Sequence, residues 1–219
     1  MGDDPRLRAI AEDRVHGAGW LARRALGVLA ASPRERWPEL VREIAALRPE
    51  MPALAAAAAD ALAAGDVRAV LRRADAERRA VADAAAGFLC GHDRVATISN
   101  SSLVARALVR ARPPLVEVVV EDADDEGHLL LAELAATGIP AAGVARPSAG
   151  IAVVGCDAVF TDGGLVNRRG TRRLAAEVPE TLALVERWKL VDGPTPASWP
   201  CADLFEVVPP GAGVRLIST

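Results

Sequence analysis

A glycine-rich segment, residues 155–171 (GCDAVFTDGGLVNRRGT), contains residues whose types and order suit a ligand-binding loop. An apolar run leads to an Asp-Gly-Gly turn at residues 162–164, and a Gly-Thr pair at 170–171 then opens an amphipathic stretch. This order predicts the end of a buried strand, a glycine loop and the start of a helix. Because open α/β sheets place ligands at such loops, Gly163 and Gly164 are candidate ligand contacts.

Two further segments offer groups that bind anions. Residues 16–18 (His-Gly-Ala) open a predicted helix, where free backbone N–H groups and the helix dipole favour an anion. The charge of His16 would contribute only below about pH 6.5. Residues 99–101 (Ser-Asn-Ser) stand at a predicted strand-to-helix turn, where they serve either as a helix cap or as ligand donors.

The elements that must position these groups change in character near residue 92. Before it, alanine, leucine and arginine recur at helical spacing, which predicts an all-helical N-terminal domain over residues 1–91. After it, predicted strands alternate with predicted helices, a pattern typical of a parallel, doubly wound sheet. The predicted strands cover residues 94–99, 115–120, 141–144, 158–161 and 181–186. The fold class is therefore α/β, with a helical domain followed by a Rossmann-like domain over residues 92–219.

Composition narrows the function classes. Hydrophobic residues make up 51% of the chain, charged residues 25%, and the formal net charge is −3, as in ordinary globular proteins. No stretch of about 20 apolar residues lacks charges, and the N-terminal segment is too charged for a signal peptide. The three cysteines are widely spaced and suit free thiols, so we expect a cytoplasmic protein without a membrane segment. The lack of a basic arm and an aromatic content of 3% argue against nucleic-acid binding. No pattern predicts a metal or a cofactor.

Six segments resemble, in order and at compatible spacing, those of one protein family. That family comprises the regulatory subunits of eukaryotic initiation factor 2B and their enzyme relatives, methylthioribose-1-phosphate isomerase and ribose-1,5-bisphosphate isomerase. The resemblance implies the same two-part fold. The segments are VHGAGWLARRALGVLA (15–30), ALRPEMPALAAAAADAL (46–62), TISNSSLVARAL (97–108), the glycine segment, VERWKL (185–190) and FEVVPP (205–210).

The resemblance also implies that the isomerase chemistry is missing. The isomerases use a cysteine and an aspartate as a proton-transfer pair, and these positions fall on Ser99 and Gly164. A serine hydroxyl is too weak an acid for that role without a partner base, and glycine has no side chain. Asp162 is either a substitute acid reaching into the site or a turn aspartate that bonds its own backbone, and the second interpretation is favoured.

The ligand-binding residues are partly retained. Arg48 falls on an arginine that the enzymes use for the substrate phosphate, which suits the fork of a guanidinium. The relatives' second arginine falls on Ala123, so we expect monophosphates to bind and bisphosphates to gain little. The implied ligand-binding residues are His16, Gly17, Ala18, Arg48, Ser99, Asn100, Ser101, Gly163, Gly164, Asn167 and Lys189.

The leading functional hypothesis is therefore a non-catalytic protein that binds a phosphorylated sugar or nucleotide in a regulatory or assembly role. The alternative is a sugar-phosphate aldose-ketose isomerase with a rearranged site. A third hypothesis is an assembly subunit whose pocket is filled by Trp20. The family dimerises through its C-terminal domain, and we expect a homodimer in which Trp188 and Trp199 are exposed for the partner.

Overall fold

A computed structural model describes residues 4–120 and 125–218 of the chain. The helices in these ranges are α1 (Pro5–Glu12), α2 (Ala18–Ala30), α3 (Trp37–Leu47), α4 (Pro52–Ala64), α5 (Val67–Leu89), α6 (Ser102–Ala111), α7 (Asp125–Ala136) and α8 (Thr171–Glu177). The strands are β1 (Arg94–Ile98), β2 (Leu115–Val119), β3 (Ala141–Val144), β4 (Ile151–Val154), β5 (Ala158–Phe160), β6 (Leu165–Arg168), β7 (Glu180–Leu184), β8 (Leu190–Val191), β9 (Phe205–Val208) and β10 (Val214–Ile217).

The larger sheet has six parallel strands in the order β10-β7-β4-β1-β2-β3. Its central strands are buried because α5, α6 and α7 cover one face while α8 and a second sheet cover the other. The chain leaves β1 towards β2 and leaves β4 towards β7, so the direction of winding reverses between β1 and β4. The predicted α/β class with a doubly wound parallel sheet is confirmed.

Strand β4 is absent from the sequence prediction, which places a strand at residues 158–161 instead. The run IAVVGCDAVF from Ile151 to Phe160 is apolar apart from Gly155 and Asp157. Periodicity cannot divide such a run into two strands. In the structure its first part is a central strand of the large sheet, and its last part enters the second sheet.

The second sheet has four strands in the order β8-β5-β6-β9, and β5 and β6 are antiparallel. The Asp-Gly-Gly turn is therefore the hairpin between β5 and β6, and the prediction of a loop between strand and helix is wrong. Gly163 has φ of 87°, and the amide of Phe160 donates to the Gly164 carbonyl at 2.9 Å. Asp-Gly between two apolar runs is a hairpin signal, because glycine supplies the positive φ that the turn needs.

The N-terminal helices share their core with the second sheet. Buried side chains of α1 to α4 pack in one cluster with Phe160, Trp188 and Phe205. The C-terminal half of α5 packs instead on the large sheet, through residues such as Val81 and Leu89. A domain boundary at residue 92 thus stays a prediction, with α5 bridging the two layers.

Candidate functional site

A cleft of about 240 Å³ lies at the carboxyl edge of the large sheet, where the winding reverses. The segments that follow β1 and β4, residues 99–103 and 155–157, form one side of it. Residues 14–20, at the start of α2, form the opposite side. Strands whose connections run in opposite directions leave a crevice between them, and ligands of doubly wound folds bind there.

The cleft brings together most of the predicted ligand-binding residues. These are His16, Gly17, Ala18, Arg48, Ser99, Asn100, Ser101, Asn167 and Lys189. Gly163 and Gly164, in the turn of the hairpin between β5 and β6, are not among the described residues that line it. Ala123 lies outside the described residues. Sequence reasoning missed Arg14, Arg78, Asp157, Arg168 and Glu186, which also line the cleft.

Ser99, at the position of the isomerase cysteine, is held in an uncommon backbone conformation. Its φ is 62°, in the left-handed region, and its exposed fraction is 8%. The next helix, α6, is capped by Ser101, whose hydroxyl accepts from the amide of Val104 at 3.5 Å. The Ser99 hydroxyl makes no hydrogen bond to any residue within 4–120 or 125–218. Strained residues of this kind cluster at functional sites, and Ser99 keeps its hydroxyl available.

Arg48 is buried and already paired. Its Nε donates to the carboxylate of Glu50, and its Nη1 donates to the backbone carbonyl of Asp13. Both Arg48 and Glu50 are buried. Two of the three guanidinium nitrogens of Arg48 are thus engaged within the protein, although Arg48 also lines the cleft, and its contact with a phosphate stays a prediction.

Glu186 forms the centre of a buried charge cluster with Arg78 and Lys189. Arg78 Nη1 donates to Glu186 Oε1 at 3.0 Å, and Lys189 Nζ lies 3.4 Å from Glu186 Oε2. Burial alone would raise the pKa of Glu186, but Lys189 and Arg78 outweigh it and lower that pKa. Burial would likewise lower the pKa of Lys189, but the charge of Glu186 outweighs it and raises that pKa. Both groups therefore stay charged at neutral pH.

Asp157, directly after the Gly-Cys pair that follows β4, also lines the cleft. Burial raises the pKa of its carboxyl group, although Lys189, Arg168 and the backbone N–H of Ala18 oppose the shift. A carboxyl group with a raised pKa in a cleft can serve as a general acid or base. A position just after a central strand indicates a possible ligand contact. Asp157 has that position, but the sequence does not show it because β4 cannot be recognised from the apolar run.

The position of the isomerase aspartate is closed. The amide of Gly164 donates to Asp162 Oδ1 at 3.1 Å, and the Thr195 hydroxyl donates to the same oxygen at 2.6 Å. These bonds, that of the Thr195 hydroxyl first, lower the pKa of Asp162. A Cβ atom on Gly164 would lie 1.9 Å from Thr195 Oγ1. The contacts of Asp162 agree with its interpretation as a turn residue, and Thr195 occupies the space of the missing side chain.

Trp20 stands at the mouth of the cleft and does not fill it. It is 38% exposed and stacks on His16, with ring centroids 3.7 Å apart. His16 Nδ1 lies 2.8 Å from Asp13 Oδ2, so the imidazole is held on both sides. The pocket is therefore open, in contrast to the expectation for an assembly subunit with a filled site.

Trp188 and Trp199 are not exposed, although the predicted homodimer contact requires them to be. Trp188 is buried, and its Nε1 donates to Asp60 Oδ2 at 3.2 Å. Trp199 is half-buried, and its Nε1 donates to the backbone carbonyl of Glu50 at 3.0 Å. Both rings join the core shared by the helices and the second sheet, because their indole N–H groups find partners there.

Two further properties bear on the function class. Among the described residues, no three His, Cys, Asp or Glu side chains are grouped so that they could hold a metal ion. None of the helices in the described ranges is long and apolar enough to cross a membrane.

The chain is similar to one family of known proteins. A family model described as the Initiation factor 2 subunit family matches residues 40–178. Among curated proteins, no sequence matches that of this chain.

Solved structures of three proteins share the fold. The translation initiation factor eIF-2B of Pyrococcus horikoshii OT3 has a TM-score of 0.82 and 24% identity, over 100% of this chain and 96% of that chain. A chain of the tetrameric eIF2B-beta2-delta2 complex from C. thermophilum has a TM-score of 0.75 and 17% identity, over 98% and 88%. The 5-methylthioribose 1-phosphate isomerase of Pyrococcus horikoshii OT3 has a TM-score of 0.67 and 15% identity, over 98% and 82%. At these identities the likeness is one of fold.

A first prediction concerns the buried charge cluster. Glu186→Gln leaves Arg78 and Lys189 without their shared carboxylate, so we expect the free energy of unfolding in urea to fall by about 3–5 kcal/mol. The matched control is Glu180→Gln, whose partly exposed pair with Arg215 (3.2 Å) is worth at most about 1 kcal/mol. Because the folded-state pKa of Glu186 is lowered, its contribution is present above its ordinary pKa of 4.5. That contribution is lost as the pH falls through the folded-state value. Equal losses for the two variants at pH 7 would contradict this assignment.

A second prediction concerns the closed isomerase position. Gly164→Ala places a Cβ against Thr195, so we expect it to lower the free energy of unfolding by about 1–3 kcal/mol. The same change in a Thr195→Gly background should cost less, because the contacted side chain is gone. Gly150→Ala is the control, since no atom lies within 4 Å of its added Cβ. Additive effects of Gly164→Ala and Thr195→Gly in urea unfolding would show that the position is open.

Proposed function

The chain belongs to the initiation factor 2 subunit family, and on that premise we propose that its cleft binds a phosphorylated sugar or nucleotide without converting it. The observation that carries this proposal is the contrast between an open, charged cleft and a closed isomerase position. The role would be regulatory or one of assembly, and the predicted cytoplasmic location is part of the same proposal.

The charges and helix ends of the cleft support an anionic ligand. Five of its lining side chains are arginine or lysine, namely Arg14, Arg48, Arg78, Arg168 and Lys189. The N-termini of α2 and α6 both contribute lining residues, so their backbone N–H groups and dipoles favour an anion. Its volume of about 240 Å³ suits a small ligand. A sugar or nucleoside carrying one phosphate matches both the charge and the size.

The residues at the isomerase positions support binding without turnover. Aldose-to-ketose conversion moves a proton from one carbon to its neighbour, which needs positioned acid and base groups. Ser99 supplies a hydroxyl with no base among its hydrogen-bond partners in the described residues. Gly164 supplies no group, and Asp162 is committed to Gly164 and Thr195.

One observation favours the alternative, an isomerase with a rearranged site. Asp157 lines the cleft, and burial raises the pKa of its carboxyl group. A single carboxyl group could shuttle a proton between adjacent carbons while Lys189 stabilises charge on the substrate oxygen. This alternative assigns the chemistry to Asp157 and not to Asp162.

An accompanying proposal is that the chain forms a homodimer through its C-terminal part. The support is Leu190, which is 57% exposed on the edge strand β8, and the unpaired edge of β9 in the same sheet. Exposed apolar side chains on a sheet edge suit a partner surface. The buried Trp188 and Trp199 give no support.

A third prediction tests binding against turnover. In calorimetric titrations we expect ribose 5-phosphate and a nucleoside monophosphate to bind, and ribose-1,5-bisphosphate to gain little, since Ala123 replaces the relatives' second arginine. Proton NMR should detect no conversion of ribose-1,5-bisphosphate or methylthioribose-1-phosphate. Conversion that Asp157→Asn abolishes would establish the alternative, and failure of every phosphorylated compound to bind would refute the proposal.

A fourth prediction concerns assembly. Light scattering at micromolar concentration should give twice the chain mass of 22.8 kDa. Leu190→Glu should shift the mass towards the monomer, because it places a charge in the apolar contact. Leu129→Glu is the control, since Leu129 is an exposed leucine of α7, a helix that packs on β2 and β3 of the large sheet. A wild-type mass near 22.8 kDa would contradict the dimer.

A further inference from the structure

We infer that Arg14 binds the phosphate of the cleft ligand, and that Arg48 acts by holding the backbone from which Arg14 projects. This inference rests on the proposed function and assigns the charge that recognises the ligand. It differs from the role that the resemblance implies for Arg48. The cations that line the cleft differ in whether they already have a carboxylate partner.

Two of the three guanidinium nitrogens of Arg48 already have partners, so only part of its fork is left for a phosphate. Its Nε donates to Glu50, and the two side chains are 4% and 5% exposed. Its Nη1 donates to the backbone carbonyl of Asp13. Pulling a guanidinium away from a buried carboxylate leaves that carboxylate without a partner, which is strongly unfavourable.

The cations of the inner cleft are also paired. Arg78 and Lys189 share the carboxylate of Glu186, with Arg78 Nη2 also donating to Ser102 Oγ at 2.9 Å. Arg168 Nη1 lies 3.0 Å from Glu126 Oε1. Each of these cations therefore has a carboxylate within contact distance.

Arg14 differs from all of them. Arg14 lines the cleft and is exposed to solvent, and it forms no ion pair with any residue in the described ranges. Its charge is thus uncompensated by described side chains and stands at the mouth of a crevice. Charges at the rim of a cleft with low-dielectric walls attract ions of opposite sign more strongly than charges on an open surface.

The backbone on both sides of Arg14 is fixed, although the side chain is free. The Asp13 carboxylate accepts from the amides of Val15 and His16, both at 2.9 Å. The Asp13 carbonyl accepts from Arg48. Arg48 therefore acts as a positioning residue, and its loss would release the segment that presents Arg14.

Ser99 offers a second group for the phosphate. It lines the same cleft, and its hydroxyl has no hydrogen-bond partner among the described residues. A hydroxyl without a partner in the protein can donate to a ligand oxygen. Arg14 lies in the segment before α2, and Ser99 lies just before α6. A phosphate held in this cleft would have a guanidinium and a hydroxyl available from these two segments.

The test is calorimetric titration of the full chain with ribose 5-phosphate at low ionic strength. We expect Arg14→Gln to weaken binding about tenfold, as for the loss of one charge-assisted hydrogen bond. Arg14→Lys should lose less, because the charge remains and only the fork is lost. The matched control Arg72→Gln removes an exposed arginine of α5 that does not line the cleft and should leave binding unchanged.

Salt dependence provides the second readout. Binding by the wild type should weaken as the ionic strength rises, and this dependence should be smaller in Arg14→Gln, because one exposed charge has been removed. A structural role for Arg14 would instead lower the thermal unfolding midpoint, which we expect to stay unchanged. Arg48→Gln does not discriminate, since it weakens binding whether Arg48 contacts the ligand or positions Arg14.

The outcomes separate this inference from the proposed function. If the wild type binds and Arg14→Gln binds equally well, the assignment of Arg14 is overturned and the cleft remains a ligand site. If the wild type does not bind ribose 5-phosphate, inorganic phosphate or a nucleoside monophosphate, the proposed function and the inference fall together. Weakening in Arg14→Gln with an unchanged Arg72→Gln supports the inference.

Discussion

The buried carboxylate of Glu186 is the constraint on which the cleft depends. It balances Arg78 from α5 and Lys189 from the turn after β7, so it joins the helical layer to the sheet through charges that cannot be left alone in a buried environment. The packing around it is tight. A Cβ atom on Gly19 would lie 2.8 Å from Glu186 Oε2, so α2 can approach only because that position is glycine. The Gly-Ala-Gly start of α2 thus has a steric reason as well as an electrostatic one.

Pairing with buried carboxylates divides the cations of the cleft into two groups with different roles. Cations paired with buried carboxylates stabilise the inner wall of the cleft. They cannot move to contact a ligand without leaving a buried carboxylate unpaired. Cations at the exposed rim keep that freedom, but their interactions are screened by salt. The cleft therefore combines paired cations with the exposed Arg14, while Gly164 is not among the described residues that line it. At Gly164, to which the resemblance assigns the isomerase aspartate, Thr195 leaves no room for a side chain.

Local sequence patterns predict much of the fold. The main error in the predicted strands comes from one long apolar run. Alternating strands and helices after residue 92 predicted the parallel sheet, since helical and strand periodicities differ. The run through Ile151–Val154 and Ala158–Phe160 hid the central strand β4, so the ligand loop was placed at Gly163 and Gly164. The loop that lines the cleft begins at Gly155. The contact of Arg48 with the Asp13 carbonyl and the pairing of Arg78 with Glu186 depend on tertiary approach, which spacing in one sequence does not reveal.

The account holds that the cleft binds a phosphorylated ligand and leaves it chemically unchanged. Phosphorus NMR of ribose-1,5-bisphosphate with the protein observes both events in one sample. If the cleft binds the ligand without converting it, the phosphate resonances will broaden or shift until they reach a plateau as protein is added. No new resonance will appear over hours. Resonances of a ketose bisphosphate growing with time, or phosphate signals unaffected by excess protein, would contradict it.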